Sequence, residues 1–276
     1  MKIPILTYHS LDIAGNDYAN NDLVAFAADI EQIVASGFRI RPLSRIVDDW
    51  LEAPQRLESA PVVALTCDDG SDFDFRDLPH PVAGNQRGIL NILRDFHERP
   101  GRDPVAISAT SFVIVSPGAR HRLDRTCLIG KGWWNDDWWR PALATGLIEI
   151  GNHSWDHNHG TLDEGDFPGV ARGTFTNIAT EELADYEIAQ ASDHLSRFAP
   201  NPARGLFAYP YGETNEFLVK DYFPRRGSRL GIKAAFTDEA RPLHRDSNRW
   251  ALPRYVCRRD WRSPSELRGI LDDARR

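Results

Sequence analysis

Two neighbouring carboxylates are the first residues of this 276-residue chain whose types and spacing suit catalysis. Asp68 and Asp69 end an apolar run and precede Gly70, which can turn the backbone. At a strand end in an α/β fold, two such carboxylates can reach one cavity, one as a metal ligand and the other as a base. A solvated Asp-Asp-Gly turn is the alternative, and it is the commoner case for this motif alone.

A pair of histidines strengthens the catalytic interpretation. His153 and His157 follow another apolar run, and their spacing of four residues corresponds to one helical turn, so both imidazoles could coordinate one ion. A chance pair of surface histidines is the alternative in a chain with nine histidines. One carboxylate and two imidazoles leave coordination positions open for water and substrate, which is typical of a catalytic divalent metal, with Zn²⁺ preferred.

Short apolar runs that alternate with amphipathic segments are the elements that must position these groups. The predicted strands span residues 3–8, 62–66, 105–115, 147–152, 205–209, 233–237 and 252–256. The predicted helices span residues 23–34, 44–51, 86–97, 180–198 and 263–274, and residues 71–88 and 116–139 are predicted as long loops. This alternation indicates a mainly parallel sheet, either closed as a barrel or open and doubly wound.

Composition excludes several classes of protein. The chain carries 33 Lys and Arg against 40 Asp and Glu, a net charge of −7, and no basic stripe, which disfavours nucleic acid as a partner. No apolar run approaches the roughly 20 residues that cross a bilayer. The N-terminus lacks the features of a secretory signal, so a cytoplasmic location is expected unless an upstream export signal was removed. Three widely spaced cysteines indicate neither a disulfide framework nor a thiolate zinc site.

Three motifs in a fixed order carry a resemblance to a known family. The sequences TCDDG at residues 66–70, HSWDH at 153–157 and FAYPYG at 207–212 stand at the ends of successive predicted strands. Together they resemble the motifs of polysaccharide deacetylases, the NodB-homology family, also called carbohydrate esterase family four. The resemblance implies an α/β fold: one distorted (β/α) barrel domain of about seven parallel strands over residues 1–276.

The resemblance also implies roles for individual residues. Asp68 corresponds to the general base, and Asp69 with His153 and His157 corresponds to the metal-binding set. Tyr211 corresponds to the residue whose backbone N–H contributes to an oxyanion hole. Amide hydrolysis requires an activated water and a nearby base, and these residues could supply both.

Two departures from the family pattern concern the acid and the partner of the base. The motif arginine is replaced by Ala208, and Arg254, at the end of a late predicted strand, is our predicted substitute; an ordinary structural ion pair is the alternative. The C-terminal histidine motif is absent. Tyr8-His9-Ser10 resembles the opening of members with this motif permuted to the N-terminus, so His9 is predicted as the general acid, with a core or capping histidine as the alternative.

The predicted activity is metal-dependent removal of an acetyl group from an N-acetylated carbohydrate. A hydrolase of a small non-sugar amide, including one that works without metal, and a catalytically silent carbohydrate-binding barrel are the alternatives. The two long loops are expected to border the cleft and to favour a neutral substrate. Four tryptophans, Trp133, Trp134, Trp138 and Trp139, either stack on sugars or pack on the barrel, and packing is favoured. The sequence predicts no oligomeric state.

Overall fold

A curled sheet of parallel strands forms the centre of the computed structural model, which describes residues 1–99, 107–128, 130–163, 167–198 and 202–276. The strands of this sheet are β1 (Ile5–Tyr8), β2 (Arg39–Ile40), β3 (Val62–Cys67), β6 (Ala109–Val113), β7 (Ile148–Asn152), β8 (Leu206–Ala208), β9 (Ala234–Phe236) and β10 (Tyr255–Val256). A separate antiparallel hairpin consists of β4 (Leu78–His80) and β5 (Gly84–Gln86).

Helices follow most of the strands. They are α1 (Asp22–Ala35), α2 (Leu43–Glu52), α3 (Ile89–His97), α4 (Pro117–Thr126), α5 (Trp139–Thr145), α6 (Glu181–Ala184), α7 (Gln190–Ser196), α8 (Phe223–Arg226) and α9 (Pro264–Arg275). Two π-helical turns, Asp185–Ala189 and Leu218–Tyr222, lead into α7 and α8. Within the described ranges, no helix combines the length and the apolar composition that membrane crossing requires.

The two edges of the sheet meet near Leu252, and this contact makes the sheet a distorted barrel. The strand order is β10-β1-β3-β6-β7-β8-β9, with β2 paired to β3, and all these pairs are parallel. Thr237 N–H donates to the Leu252 carbonyl over 2.8 Å, and Leu252 N–H donates to Ala235 over 2.8 Å. The segment leading to β10 therefore connects β9 to β1, which confirms the predicted barrel.

Each predicted strand overlaps a strand of the sheet, but the short strand β2 was not predicted, and the other main errors lie in the predicted loops. Residues 105 and 106 of the third predicted strand lie outside the described residues. The loop predicted at 71–88 contains the β4–β5 hairpin, and the one at 116–139 contains α4. Pro117 and Gly118 look like loop residues in the sequence, but proline is compatible with the first helical turn, and the Ser116 hydroxyl caps α4 by accepting from Ala119 N–H.

The barrel interior changes from apolar to polar along the strands. Ile5, Ala64 and Phe112 share one core cluster with α2, which packs against the strands where they begin. Alternate strand residues face outward and pack against α1, α3 and α9. Further along, the hydroxyls of Thr7 and Thr66 form a 2.9 Å hydrogen bond inside the wall. The polar end of the interior is therefore the carboxyl end of the strands, where sites form in such barrels.

Candidate active site

A cavity of about 330 Å³ lies at the carboxyl end of the barrel. Its lining residues are His9, Leu11, Asp12, Asp68, Asp69, Ile114, Cys127, Trp134, His153, His157, His159, Tyr211 and Asp238. They come from the segments that follow six different strands. The structure therefore brings six of the seven predicted site residues to one cavity, and the seventh, Arg254, lies directly behind it.

Asp69, His153 and His157 converge on one point. The Asp69 Oδ1 atom is 3.6 Å from His153 Nε2 and 3.8 Å from His157 Nε2. The three donor atoms lie within 4.8 Å of one another. His153 Nδ1 is 2.9 Å from the Ala208 carbonyl, so its N–H donates there and the Nε2 lone pair faces Asp69. These residues fit a divalent ion that accepts nitrogen and oxygen ligands, such as Zn²⁺.

The electrostatics of this set also fit a cation. Burial lowers the pKa of His157 well below its usual range and keeps its ring neutral, the form that coordinates metals. Burial raises the pKa of Asp69, although the charge of His9 opposes this shift. A cation between the three side chains would therefore offset the cost of burying the Asp69 charge.

The expectation that the two histidines share a helical turn is wrong. The chain leaves β7 at Asn152 and enters a tight turn in which Ser154 and His157 both have φ of 67°. Ser154 N–H donates to the Asn152 side chain over 2.8 Å, and His157 N–H donates to the Ser154 hydroxyl over 2.9 Å. The four-residue spacing brings the imidazoles together through this turn, which we call the metal turn (residues 153–158).

Left-handed backbone conformations are concentrated at the cavity. Asp69, with φ of 74°, and Tyr211, with φ of 60°, adopt them, as do three residues of the metal turn. Among the described non-glycine residues, the only other one is Arg258. Each such conformation costs of order 1–3 kcal/mol and persists only where the surroundings impose it, typically at functional sites. Gly70 is required beside Asp69 because its φ is 73° and a Cβ atom would lie 2.4 Å from Val113.

Asp68 forms a buried ion pair with Arg254. The two guanidinium Nη atoms donate to the two carboxylate oxygens over 2.8 and 2.7 Å, and both residues are at most 3% exposed. Burial alone would raise the pKa of Asp68, but the Arg254 charge outweighs it and lowers the pKa to about 2. Arg254 also donates to Asp238 over 2.9 Å. Sequence reasoning missed Asp238, although its position directly after a predicted strand was a usable signal.

His9 and Tyr211 line the same cavity as Asp69, His153 and His157. His9 N–H donates to the Asp22 carboxylate over 2.8 Å, which fixes the end of β1. Burial would lower the pKa of His9, but the charges of Asp69 and Asp68 outweigh it and raise the pKa. The Tyr211 ring packs edge-on against His157, with 4.4 Å between ring centroids. Pro210 precedes Tyr211 and restricts the local backbone.

Comparison with known proteins identifies the family. Residues 56–223 match the family model described as "Polysaccharide deacetylase", which is more than half of the chain. The chain belongs to the polysaccharide deacetylase family. It is therefore a hydrolase that acts on carbon–nitrogen bonds other than peptide bonds, and the resemblance predicted from the three motifs is confirmed. A search of curated protein sequences found no match.

Solved structures of deacetylases share the fold of this deacetylase. IcaB from Ammonifex degensii is 18% identical with a TM-score of 0.67, and the alignment covers 100% of this chain and 97% of that one. The Streptococcus pyogenes deacetylase PplD, in complex with acetate, is 16% identical with a TM-score of 0.65 and 98% coverage of both chains. BC0361, a polysaccharide deacetylase from Bacillus cereus, is 13% identical with a TM-score of 0.62, over 98% of this chain and 69% of that one.

The tryptophans of the deacetylase have two different roles. Trp138 and Trp139 are fully buried in the core, so they pack on the barrel and present no surface to a sugar. Trp134 lines the cavity, and its Nε1–H donates to the Asp69 carbonyl over 3.0 Å, which ties the loop to the strand end. Among the described residues, none of 71–88 lines the cavity, so the expectation that this loop borders it is wrong.

Proposed function

We propose that this deacetylase removes the acetyl group from an N-acetylated carbohydrate, using a divalent metal ion, Zn²⁺ by preference, held by Asp69, His153 and His157. The observation that carries the proposal is the convergence of these three donors beside the ion-paired Asp68 in one cavity. A bound divalent ion would lower the pKa of a coordinated water to about 7 and polarise the substrate carbonyl.

Asp68 acts as the general base in this proposal. The Arg254 guanidinium keeps its carboxylate ionised at neutral pH and fixes both of its oxygens in place. A carboxylate whose pKa is about 2 is a weak base, so it can accept a proton only from a water that is already acidified. The proposal therefore requires base and metal to act on the same water.

His9 acts as the general acid, and the Tyr211 backbone stabilises the developing oxyanion. Expulsion of an amine requires a proton, and the raised pKa of His9 increases the fraction of imidazolium available near neutral pH. The left-handed conformation of Tyr211, fixed after Pro210, sets the direction of its N–H at the cavity wall. A donor fixed before the reaction stabilises the tetrahedral oxyanion without reorganisation.

The cavity favours a small neutral substrate. Asp12, Asp68, Asp69 and Asp238 line it, and its described lining residues include neither lysine nor arginine. An anionic substrate would therefore find neither lysine nor arginine in this lining to pair with. A volume of about 330 Å³ admits one sugar residue and part of a second, so we propose a short oligosaccharide or a small N-acetyl compound as the substrate.

The decisive test is acetate release by metal-loaded protein from N-acetyl oligosaccharides, acetylxylan and small acetamides. We expect Zn²⁺-dependent release from the N-acetyl oligosaccharides. Asp68→Asn should lower turnover by about 10² or more while keeping the metal, because it removes only the base. Asp193→Asn, at an exposed carboxylate of α7, is the matched control.

Each alternative function predicts a different result. Release from small acetamides alone, unaffected by chelation, would support a metal-free amide hydrolase instead. Binding of oligosaccharides without release from any substrate would support a silent binding barrel. Loss of metal in Asp68→Asn would show that this residue is a ligand.

A further inference from the structure

Glu187 is one of the attachments of the metal turn to the rest of the protein; Val115 N–H and Ser116 N–H, after β6, also donate to the carbonyls of Ser154 and Trp155 over 3.1 and 2.7 Å. The Glu187 carbonyl accepts Trp155 N–H over 2.7 Å. Its carboxyl oxygens accept Asp156 N–H and Asn158 N–H, each over 3.2 Å. Three of the six backbone amides of the metal turn therefore bond to a single residue that follows it by about 30 positions.

Glu187 is placed for these contacts by an irregularity in its helix. It lies in the π-helical turn Asp185–Ala189, where Gln190 N–H donates to the Asp185 carbonyl five residues earlier. A π turn widens the helix locally, and such turns occur often at functional sites. Glu187 is only 2% exposed, and both its main-chain and its side-chain oxygens face the metal turn.

The carboxylate beside Glu187 is held from the opposite side. Arg172 donates to the two oxygens of Asp156 over 3.0 Å each, and the Tyr186 hydroxyl donates over 3.2 Å. Asp156 also accepts Asn158 N–H over 3.0 Å. The charge of Asp156 is thus compensated by Arg172, and the Glu187 carboxyl bonds both to the Asp156 side chain and to the turn's backbone.

We infer that Glu187 is a positioning residue of the metal site, because its bonds to the metal turn aim His157 Nε2 at Asp69. The inference rests on the proposed metal-dependent function. Ser154 and His157 hold left-handed conformations that non-glycine residues disfavour. Without the amide bonds to Glu187, the turn relaxes toward ordinary conformations and the His157 ring moves away from the other two donors.

The test measures Zn²⁺ affinity by competition with a chromophoric chelator, together with the visible spectrum of Co²⁺-loaded protein. Glu187→Ala should weaken Zn²⁺ binding by about 10- to 100-fold, the usual effect of removing a partner behind a metal ligand, and should change the Co²⁺ spectrum. Glu187→Asp, one methylene shorter, should lie between wild type and Glu187→Ala. Glu182→Ala, at an exposed glutamate of α6, is the matched control and should bind as wild type does.

The outcomes separate positioning from stability. Circular dichroism melts of metal-free protein report folding independently. A folded Glu187→Ala protein with wild-type Zn²⁺ affinity and Co²⁺ spectrum overturns the inference, even if it melts at a lower temperature. If Glu187→Ala does not fold, wild-type affinity in Glu187→Asp overturns it instead. A wild-type protein that binds neither ion overturns the proposed metal dependence and this inference together.

Discussion

Asp68, the proposed base, and His157, a proposed metal ligand, occupy one cavity but are held in different ways. Asp68 stands at the end of a strand, and its partner Arg254 lies next to β10, so the barrel wall itself carries both groups. His157 stands in a turn whose backbone is bonded both to the segment that follows β6 and to Glu187 outside the wall. The strand-borne pair is fixed by sheet pairing and charge, whereas the turn is held by hydrogen bonds of its backbone. Changes near the base should therefore alter chemistry and pH dependence, and changes at the turn should alter metal occupancy.

The largest expected effect is the loss of a ligand from the metal turn. His157→Ala should remove the metal and lower kcat/KM by more than about 10³. A metal stabilises charge in the transition state by several kcal/mol, and each 1.36 kcal/mol corresponds to a factor of ten in rate. Elemental analysis and acetate release measure the two effects. His121→Ala, at an exposed histidine of α4, should change neither. Full metal content in His157→Ala would remove this residue from the ligand set.

The next effect concerns His9, the proposed acid, which lines the same cavity. His9→Ala should lower turnover by about 10² and leave metal content intact. Because His9 must be protonated to act and its pKa is raised, wild-type activity should fall as pH rises through that pKa. The variant should lack this alkaline limb in its pH profile. Undiminished activity would assign the acid role elsewhere, and His159, which also lines the cavity, is the next candidate.

Removal of Arg254, the partner of the proposed base, should change the acidic side of the pH profile instead of the alkaline side. In Arg254→Gln the largest opposition to the burial of Asp68 is lost, so the pKa of Asp68 rises and the acidic limb of activity moves to higher pH. Turnover at neutral pH should fall by about 10- to 100-fold as the base loses its fixed geometry. Arg259→Gln, which removes a half-exposed arginine that contacts Asp238, is the control. An unshifted acidic limb would mean that Asp68 is not the titrating group.

The same ion pair has a predictable effect on stability. The folded-state pKa of Asp68 is below its unfolded value, so the pair stabilises the fold above about pH 4 and this contribution is lost as pH falls toward 2. Arg254→Gln leaves a buried carboxylate with one partner fewer, and breaking such pairs costs about 3–5 kcal/mol. Urea denaturation of wild type and variant at pH 7 measures this difference in the free energy of unfolding.

The smallest expected effect is at Tyr211. Tyr211→Phe should stay within about threefold of wild-type turnover, because the proposed oxyanion donor is the backbone N–H and the ring that contacts His157 is retained. Steady-state kinetics on the best substrate measures it. A folded but inactive Tyr211→Phe would assign chemistry to the hydroxyl.

The difference between wall and turn also explains what the sequence could predict. The carboxyl ends of parallel strands meet at one end of a barrel, so apolar runs followed by Asp68 and by His153 were enough to place both residues together. Closure of the barrel brought Arg254 to Asp68, and no local pattern shows which strands are neighbours at the closure. The left-handed conformation of His157 and the π turn that carries Glu187 have no recognised sequence signal. The hydrogen bond from Trp134 to the Asp69 carbonyl was not predicted either, because Trp134 lies in a segment that the sequence predicts as a loop.

The pairing of β1 with β10 has a consequence for synthesis of the chain on the ribosome. Asp68 and Arg254 are 186 residues apart. At a synthesis rate of roughly 5–20 residues per second, Arg254 is therefore added on the order of 10–40 s after Asp68. During the same interval the edge of β1 that later receives β10 has no partner, and such edges are prone to intermolecular pairing. Closure of the barrel and pairing of the Asp68 carboxylate with Arg254 are thus a single late event in translation. A nascent chain that stalls before Arg254 has both an unpaired β1 edge and an Asp68 charge without a partner.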